Sequence, residues 1–341
     1  MLRRTFLSTT TAALAQPPAN LPVKLGIDLF SIRSSGWTPF QYLDYCAKLN
    51  ARVVHFSETR FLGSLEDANL RQVRAHAEKL DIEIEIGTKS ICPSSKSFVA
   101  AEGSAEQQLE RMIVAAKTIG SKIIRAVLGT MADRSGPIPI EGHIENTVKV
   151  LRAMRTRLQD QGLKVAIENH AGDMQGRELK LLIEEAGKDF VGACLDSGNP
   201  LWTIEDPHLT LETLSPYVLT SHIRDTAVWR VPEGAAVQWT RMGEGNIGID
   251  DYVRKYASLC PGKALSLEII VTGPRKFAYL TPQFWEAYKR TPAWEFSRFV
   301  ALVDKGTPKP APPPAAKDQA GERERADLEA SLAYTQKLLH L

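Results

Sequence analysis

Short apolar runs alternate along this chain with longer segments in which apolar residues recur every three or four positions. The first run is VKLGIDLFS (residues 23–31), and a helix is predicted after it, with Thr38 as its cap and Pro39 in its first turn. Eight such strand–helix units fit between residues 22 and 305. Apolar strands that are each followed by a helix indicate a parallel sheet covered by helices.

Eight units predict an α/β fold of the (β/α)₈ TIM barrel type. The last helix is predicted over residues 282–303, and residues 228–248 are predicted as an inserted loop. The alternative is an open doubly wound sheet. That fold usually carries a glycine-rich dinucleotide turn after its first strand, and DLFSIRSSGW (residues 28–37) is not such a turn.

Both ends of the chain differ in composition from the barrel. Residues 1–15 contain Arg3-Arg4 and an Ala-Leu-Ala cleavage pattern, and they resemble a twin-arginine export signal. An ordinary secretion signal or an irregular cytoplasmic start are the alternatives. Because of the twin-arginine resemblance, we expect an exported, periplasmic protein.

Residues 306–318 are predicted to form a proline-rich linker. Residues 319–341 are predicted to form an amphipathic extension helix that docks on its own barrel or on a second copy, as a homo-oligomer.

Charge and cysteine content exclude several classes of protein. The chain has 42 basic and 40 acidic residues, a balance that provides no basic field for nucleic acid. Its four cysteines are scattered and include no CxxC pair, so we expect buried thiols rather than disulfides or structural zinc. Beyond the first residues, no apolar stretch approaches the roughly 20 residues that span a bilayer. These features predict neither a nucleic-acid partner nor a membrane span.

Polar residues end four consecutive strands of the predicted barrel. They are Glu168, Asp196, His222 and Glu268. Because TIM barrels carry their chemistry at the C-terminal ends of the strands, we expect these side chains to meet at one mouth. Three carboxylates would repel each other strongly there, and a divalent cation removes that repulsion. Oxygen-rich ligands with one nitrogen suit Mn²⁺, Mg²⁺, Co²⁺ or Zn²⁺.

Several motifs resemble the xylose isomerase-like TIM barrel superfamily, and within it the sugar phosphate isomerase/epimerase branch. They are LGIDLFSIR, IENH, LDSGN, SHIRD, GEGNIGID and LSLEI. The resemblance implies that one divalent metal is held by Glu168, Asp196, His222 and Glu268. It also implies that Glu168 and Glu268 exchange the proton beside a sugar carbonyl, through an enediolate that the metal stabilises.

One position departs from that family pattern. Several ketose epimerases have a histidine three residues after the strand-six aspartate, whereas this chain has Asn199. Asparagine can bind a sugar hydroxyl but cannot carry a proton at neutral pH. The sequence also offers further substrate-binding candidates, with Asp225 as a residue that orients a metal ligand. These candidates are His170, Arg224, Glu244, Trp202, Arg33 and Glu58, with Trp229 and Trp239 as further stacking surfaces.

Several functions remain compatible with these residues. The leading hypothesis is a metal-dependent isomerase or epimerase acting on a sugar, and a keto-sugar lyase or hydratase uses the same chemistry. A sugar-binding barrel without catalysis is a third hypothesis. An abasic-site endonuclease is a fourth hypothesis. It is disfavoured because it needs several histidines for a metal cluster, whereas only His55, His170 and His222 of the seven histidines lie close to a strand end.

Overall fold

A computed structural model of the protein describes residues 23–314, 316 and 318–341. The predicted export signal, residues 1–15, lies outside these residues. Among the residues described, no helix has the length and apolar character needed to cross a membrane.

Eight parallel strands form the centre of the fold, in the order β10-β1-β2-β3-β4-β5-β6-β7. They are β1 (Lys24–Asp28), β2 (Val53–Phe56), β3 (Glu83–Ser90), β4 (Ile123–Val127), β5 (Lys164–Glu168), β6 (Val191–Asp196), β7 (Val218–His222) and β10 (Ala264–Leu267). Ile223 donates to Ser266 O (2.7 Å) and accepts from Glu268 N (3.1 Å), which places β10 beside β7 and nearly closes the ring. The predicted TIM barrel is confirmed.

Helices cover the outside of this barrel. They are α1 (Pro39–Lys48), α2 (Asp67–Lys79), α3 (Ala105–Ile119), α4 (Met131–Arg134), α5 (Ile140–Asp160), α6 (Gly176–Ala186), α7 (Pro207–Leu214), α8 (Ile249–Leu259), α9 (Ala293–Lys305) and α10 (Ala320–Leu339). Local sequence sets several of their starts: Thr38 and Gln41 form a capping box at α1, with Pro39 in the first turn. Short 3₁₀ turns cover Leu29–Ile32, Thr59–Leu62, Ala100–Glu102, Asn199–Thr203, Ser215–Tyr217 and Pro282–Ala287.

The inserted loop predicted over residues 228–248 is wrong for most of its length. Strands β8 (Asp225–Val231) and β9 (Gly234–Thr240) form an antiparallel hairpin there, and β11 (Arg275–Phe277) pairs with β9. Apolar and polar residues alternate in VQWT (residues 237–240), with the period of two that a strand requires. The hairpin stands on the rim of the barrel, directly after His222.

The single helix predicted over residues 282–303 is also wrong. A 3₁₀ turn, Pro282–Ala287, is followed by a separate helix, α9, whose N-cap is Pro292. Proline lacks the backbone N–H that a continuous helix would need at that position, and it disfavours helical backbone at the residue before it. Helix α9 packs on the hairpin strand β8 rather than on the last barrel strand.

The C-terminal helix α10 fills the place beside the last barrel strand. It packs on β10 and on the 3₁₀ turn after β1, and Leu328, Leu332 and Leu339 on it are buried in the main core. Polar contacts hold both ends: Ser34 N donates to Glu324 (2.8 Å), and Gln336 donates to Leu49 O (3.3 Å). The apolar face of the helix is therefore used within the chain, so a homo-oligomer would need another surface.

We expect Leu328→Ala to lower the free energy of unfolding by about 3 kcal/mol, because a fully buried leucine leaves a cavity when truncated. Lys337→Ala on the exposed face of the same helix should change it by less than about 0.5 kcal/mol. Urea unfolding of both variants measures the difference. Equal stabilities would show that α10 is not part of the cooperative fold.

The buried carboxyl group of Glu205 is expected to make the stability of the protein depend on pH. It accepts hydrogen bonds from Gly176 N (2.8 Å) and Thr210 Oγ1 (2.7 Å), at the start of α6. Burial raises the pKa of Glu205 from 4.5 to about 7. The folded protein therefore binds the Glu205 proton more tightly than the unfolded chain does. The free energy of unfolding that this adds is lost as the pH rises from 4.5 to about 7. We expect a loss of up to about 1.4 kcal/mol per pH unit, reduced in Glu205→Gln. Urea unfolding against pH tests this, and parallel curves for the two proteins would contradict it.

Candidate metal centre and active site

The four polar strand ends converge in the folded chain. Glu168, Asp196 and His222 are the last residues of β5, β6 and β7, and Glu268 directly follows β10. Asp196 lies opposite His222 in the strand register, and Glu168 lies opposite Cys194. Because the strands are parallel, all four side chains reach the same end of the barrel, where three are fully buried and Glu268 is 6% exposed.

One ligand atom from each of the four residues lies within 4.8 Å of the others. His222 Nδ1 is 3.1 Å from Glu168 Oε2 and 3.3 Å from Glu268 Oε2. Asp196 accepts hydrogen bonds at Oδ1 from Gly198 N and Asn199 N (both 2.7 Å). Its second oxygen, Oδ2, is therefore directed to the cluster. The sequence therefore places four donors around one point.

Two buried arginines balance the negative charge of this cluster. Arg125, on β4, donates through Nε to Glu168 Oε2 at 2.6 Å. Arg224 contacts both Asp196 Oδ2 and Glu268 Oε2, and its guanidinium lies 4.6 Å from the centre of the Trp239 ring. A side chain at Gly198 would place a Cβ 2.5 Å from Arg224 Cγ, so the glycine of LDSGN leaves the room that Arg224 occupies.

The cluster fits a divalent cation. It offers three carboxylates and one imidazole, a donor set that suits Mg²⁺, Mn²⁺, Co²⁺ or Zn²⁺. His222 Nδ1 is buried and makes no hydrogen bond, although two carboxylates lie near it. Part of the positive charge that the carboxylates need is supplied by the guanidinium of Arg224.

Electrostatics divides the roles of the buried ligands. Burial alone would raise the pKa of Glu168, but Arg125 and His222 outweigh it and hold that pKa well below its ordinary value. Glu168 is therefore a carboxylate at neutral pH. Burial would lower the pKa of His222, but Cys194, Glu168 and Asp28 raise it well above its ordinary value. A proton and a metal therefore compete for this imidazole.

A cavity of about 410 Å³ opens above the cluster. Among the predicted residues, its lining includes Glu168, Glu268, His170, Asn199, Arg224, Glu58 and Trp239. Asn199 Nδ2 donates to Glu168 Oε1 (3.2 Å). His170 donates through Nδ1 to the carbonyl of Gly129 (2.7 Å), and burial lowers its pKa, so the ring is neutral with Nε2 free to accept.

Other predicted residues lie outside the cavity lining. Arg33 contacts the C-terminal helix through Glu324 (3.4 Å), and Glu244 is exposed to solvent. Trp202 stacks behind Trp239 with ring centres 4.5 Å apart, and Trp229 packs in a separate small cluster with Ala227 and Ala236.

Asp225 anchors a loop instead of orienting a predicted ligand. Its Oδ2 accepts from Gly243 N (3.1 Å) and Gly245 N (2.8 Å), and its Oδ1 accepts from Thr226 N (2.7 Å). Burial raises its pKa to about 6.

Several residues at the site were missed from the sequence. Arg125 lies in the apolar strand IIRAV, and Asp28 and His55 end or interrupt similar runs. A charged or imidazole side chain in a strand that is otherwise built for burial was the available signal. Lys89, Ser57 and hydroxyl groups of the β3 and β4 loops also line the cavity, and nothing in their local sequence indicates it.

Residues 43–280 match the model of the xylose isomerase-like TIM barrel family, and the chain belongs to that family. This confirms the resemblance that its motifs show.

Two relatives share part of the sequence. A 3-oxo-isoapionate decarboxylase from Pectobacterium atrosepticum is 23% identical over 209 residues, which cover 61% of this chain and 63% of that protein. The protein YihM of Escherichia coli is 25% identical over 269 residues, covering 76% of this chain and 71% of that protein. The chain thus spans less than two thirds of the first relative.

Solved structures share the fold. A D-psicose 3-epimerase crystallised with D-fructose superposes with a TM-score of 0.61 at 16% identity, over 93% of this chain and 99% of that one. Further structural neighbours include a zinc-bound protein and a probable dehydratase. Proteins named as an epimerase and as a probable dehydratase thus share this barrel.

We expect the purified chain to bind one divalent ion, and Glu268→Gln to weaken that binding because a ligand oxygen is lost. The loss should exceed the roughly 10- to 100-fold typical of residues behind the ligands. Calorimetric titration with Mn²⁺ measures it, and Glu145→Gln on the exposed face of α5 is the control. Unchanged affinity in Glu268→Gln would remove this residue from the metal centre.

Proposed function

We propose that this protein is a divalent-metal-dependent sugar isomerase or epimerase, which moves a proton on a carbon beside a carbonyl group. The observation that carries the proposal is the convergence of Glu168, Asp196, His222 and Glu268. Glu168 and Glu268 of this cluster line one cavity. Membership of the xylose isomerase-like family and the likeness to a D-psicose 3-epimerase support it. When bound, a divalent ion supplies Lewis-acid polarisation of the substrate carbonyl.

Glu168 is the proposed proton acceptor. Arg125 and Asn199 hold its two oxygens and so fix the carboxylate in one orientation. Its low pKa keeps it ionised at neutral pH, ready to accept a proton, although it is a weaker base than an ordinary glutamate. Glu268 belongs to the same cluster and lines the same cavity, and we assign it the return of the proton. Epimerisation results when Glu268 delivers a proton to the face of the carbon opposite to the face from which Glu168 removed one.

The cavity walls suit a sugar. Five hydroxyl-bearing residues line it, together with Trp239. They are Ser57, Thr88, Ser90, Ser97 and Thr130. Hydroxyls both donate and accept hydrogen bonds, as the hydroxyls of a sugar require. The faces of the Trp239 ring are covered by Trp202 and Arg224, so the indole contributes its edge to the wall. His170 and Asn199 lie within the same lining and are proposed substrate contacts. The proposed partner is therefore a sugar or keto-sugar.

A keto-sugar lyase or hydratase is the second candidate. Asn199 stands where several ketose epimerases have a histidine, and its amide cannot carry a proton. His170, by contrast, is neutral and able to accept at Nε2. In hydration, Nε2 of a separate imidazole takes the proton of the attacking water. In the reverse elimination, the protonated ring returns that proton to the departing hydroxyl. The likeness to a 3-oxo-isoapionate decarboxylase also supports carbonyl chemistry other than epimerisation.

We also propose that residues 1–15 direct the export of the protein.

Deuterium exchange tests the reaction. In deuterated water the metal-loaded protein should introduce deuterium beside the carbonyl of a ketohexose or of a 3-keto-glycoside, as mass spectrometry and NMR detect. Glu168→Gln should slow exchange by about 10²- to 10⁴-fold, because the proton acceptor is lost. Glu145→Gln is the control. Removal of the metal by chelation should abolish exchange.

The products separate the candidates. An epimer or isomer supports the leading proposal, whereas an unsaturated or hydrated product supports the lyase or hydratase. Full activity after exhaustive chelation would overturn both. Tight sugar binding without exchange of any tested substrate would instead support a binding protein.

A further inference from the structure

A second buried polar group lies directly behind the proposed metal centre. It consists of Asp28 at the end of β1 and His55 within β2, and both side chains are completely buried. They face His222 on the side opposite to its carboxylate neighbours. The role of these two residues depends on the proposed metal site.

His222 is contacted differently at its two ring nitrogens. Nδ1 is near the carboxylates of Glu168 (3.1 Å) and Glu268 (3.3 Å) and makes no hydrogen bond. Nε2 lies 2.9 Å from His55 Nδ1 and 3.4 Å from Asp28 Oδ2. A nitrogen that binds a metal must present a lone pair, so a metal at Nδ1 requires the proton on Nε2. Both groups behind Nε2 are able to accept that proton in a hydrogen bond.

Asp28 is held in place by its other oxygen. Oδ1 accepts from Phe30 N (2.8 Å) and from Ser57 Oγ (3.0 Å), which fixes the plane of the carboxylate. Oδ2 has no hydrogen-bond partner and lies 3.4 Å from His222 and 3.7 Å from His55. A buried carboxylate oxygen without a hydrogen-bond donor is costly, and a proton on His222 Nε2 would give Oδ2 such a donor.

We propose that Asp28 and His55 are positioning residues that hold His222 with its proton on Nε2 and so present Nδ1 to the metal. Metal-binding histidines generally have such a partner behind them, and its loss costs affinity without removing a ligand. The alternative is that Asp28, His55 and His222 form a second metal site, since their ligand atoms also lie close together.

Asp28→Asn is the sharpest test, because it changes the polarity of one contact. Its oxygen should stay on Phe30 N and Ser57, so its NH₂ group would face His222 Nε2 and could only donate. That favours the proton on Nδ1, where it blocks the metal. We expect Co²⁺ affinity to fall by about 10- to 100-fold, with an altered visible spectrum of the bound Co²⁺.

His55 provides the companion variants. His55→Leu removes the acceptor and should also weaken Co²⁺ binding, whereas His55→Asn retains an acceptor and should recover part of the affinity. Long-range ¹H–¹⁵N NMR of the Zn²⁺-loaded protein should show the His222 proton on Nε2. Leu328→Ala, which lowers stability at α10, should bind Co²⁺ as the wild type does and so controls for a general loss of stability.

The outcomes are distinct. Unchanged Co²⁺ affinity and spectrum in Asp28→Asn and His55→Leu would overturn the positioning role. Two ions per wild-type chain, with one lost in these variants, would overturn it in favour of a second metal site. Wild-type protein that binds Co²⁺ as expected but exchanges no substrate proton would contradict only the proposed function. A wild-type chain that binds no divalent ion would overturn both.

Discussion

Crowding of negative charge at one end of the barrel is the constraint on which the site depends. Three carboxylates and one imidazole offer ligand atoms within 4.8 Å of each other, and all four side chains are buried. Such a group is stable only with positive charge beside it, and Arg125 and Arg224 provide part of it. The same charge makes the cluster receptive to a divalent cation, so one electrostatic requirement links the fold to the proposed chemistry.

The barrel satisfies this requirement because it supports the cluster on rigid strands. Strands β5, β6 and β7 and the residue after β10 supply one ligand each. The register places Asp196 beside His222 and Glu168 beside Cys194. Behind the ligands, β1 and β2 contribute Asp28 and His55 from the barrel interior. The hairpin of β8 and β9 adds Trp239 to the wall of the cavity, and Arg224 stacks on the ring of Trp239. Helix α10 packs beside β10, the strand that leads into Glu268.

The asymmetry of the two glutamates bears on the reaction. Glu168 is held by Arg125 and Asn199 and has a lowered pKa, while Glu268 faces Arg224. Asn199 thus serves the glutamate in this chain instead of carrying a proton itself. That difference is why a lyase or hydratase stands beside the epimerase as a candidate, even though the donor set is the same.

The sequence by itself determined the barrel and the four strand-end donors, because apolar periodicity and strand-end position are local patterns that this fold converts into one mouth. It also indicated the C-terminal helix through its leucine spacing. Only the tertiary structure decided which face that helix covers, that residues 225–240 form a hairpin, and that Pro292 divides the last predicted helix. It alone brought Arg125, Asp28 and His55 to the donors, because these contacts join strands far apart in the chain: 43 residues separate Arg125 from Glu168, and 167 separate His55 from His222. Local pattern records which residues are buried, whereas their partners depend on how distant strands meet.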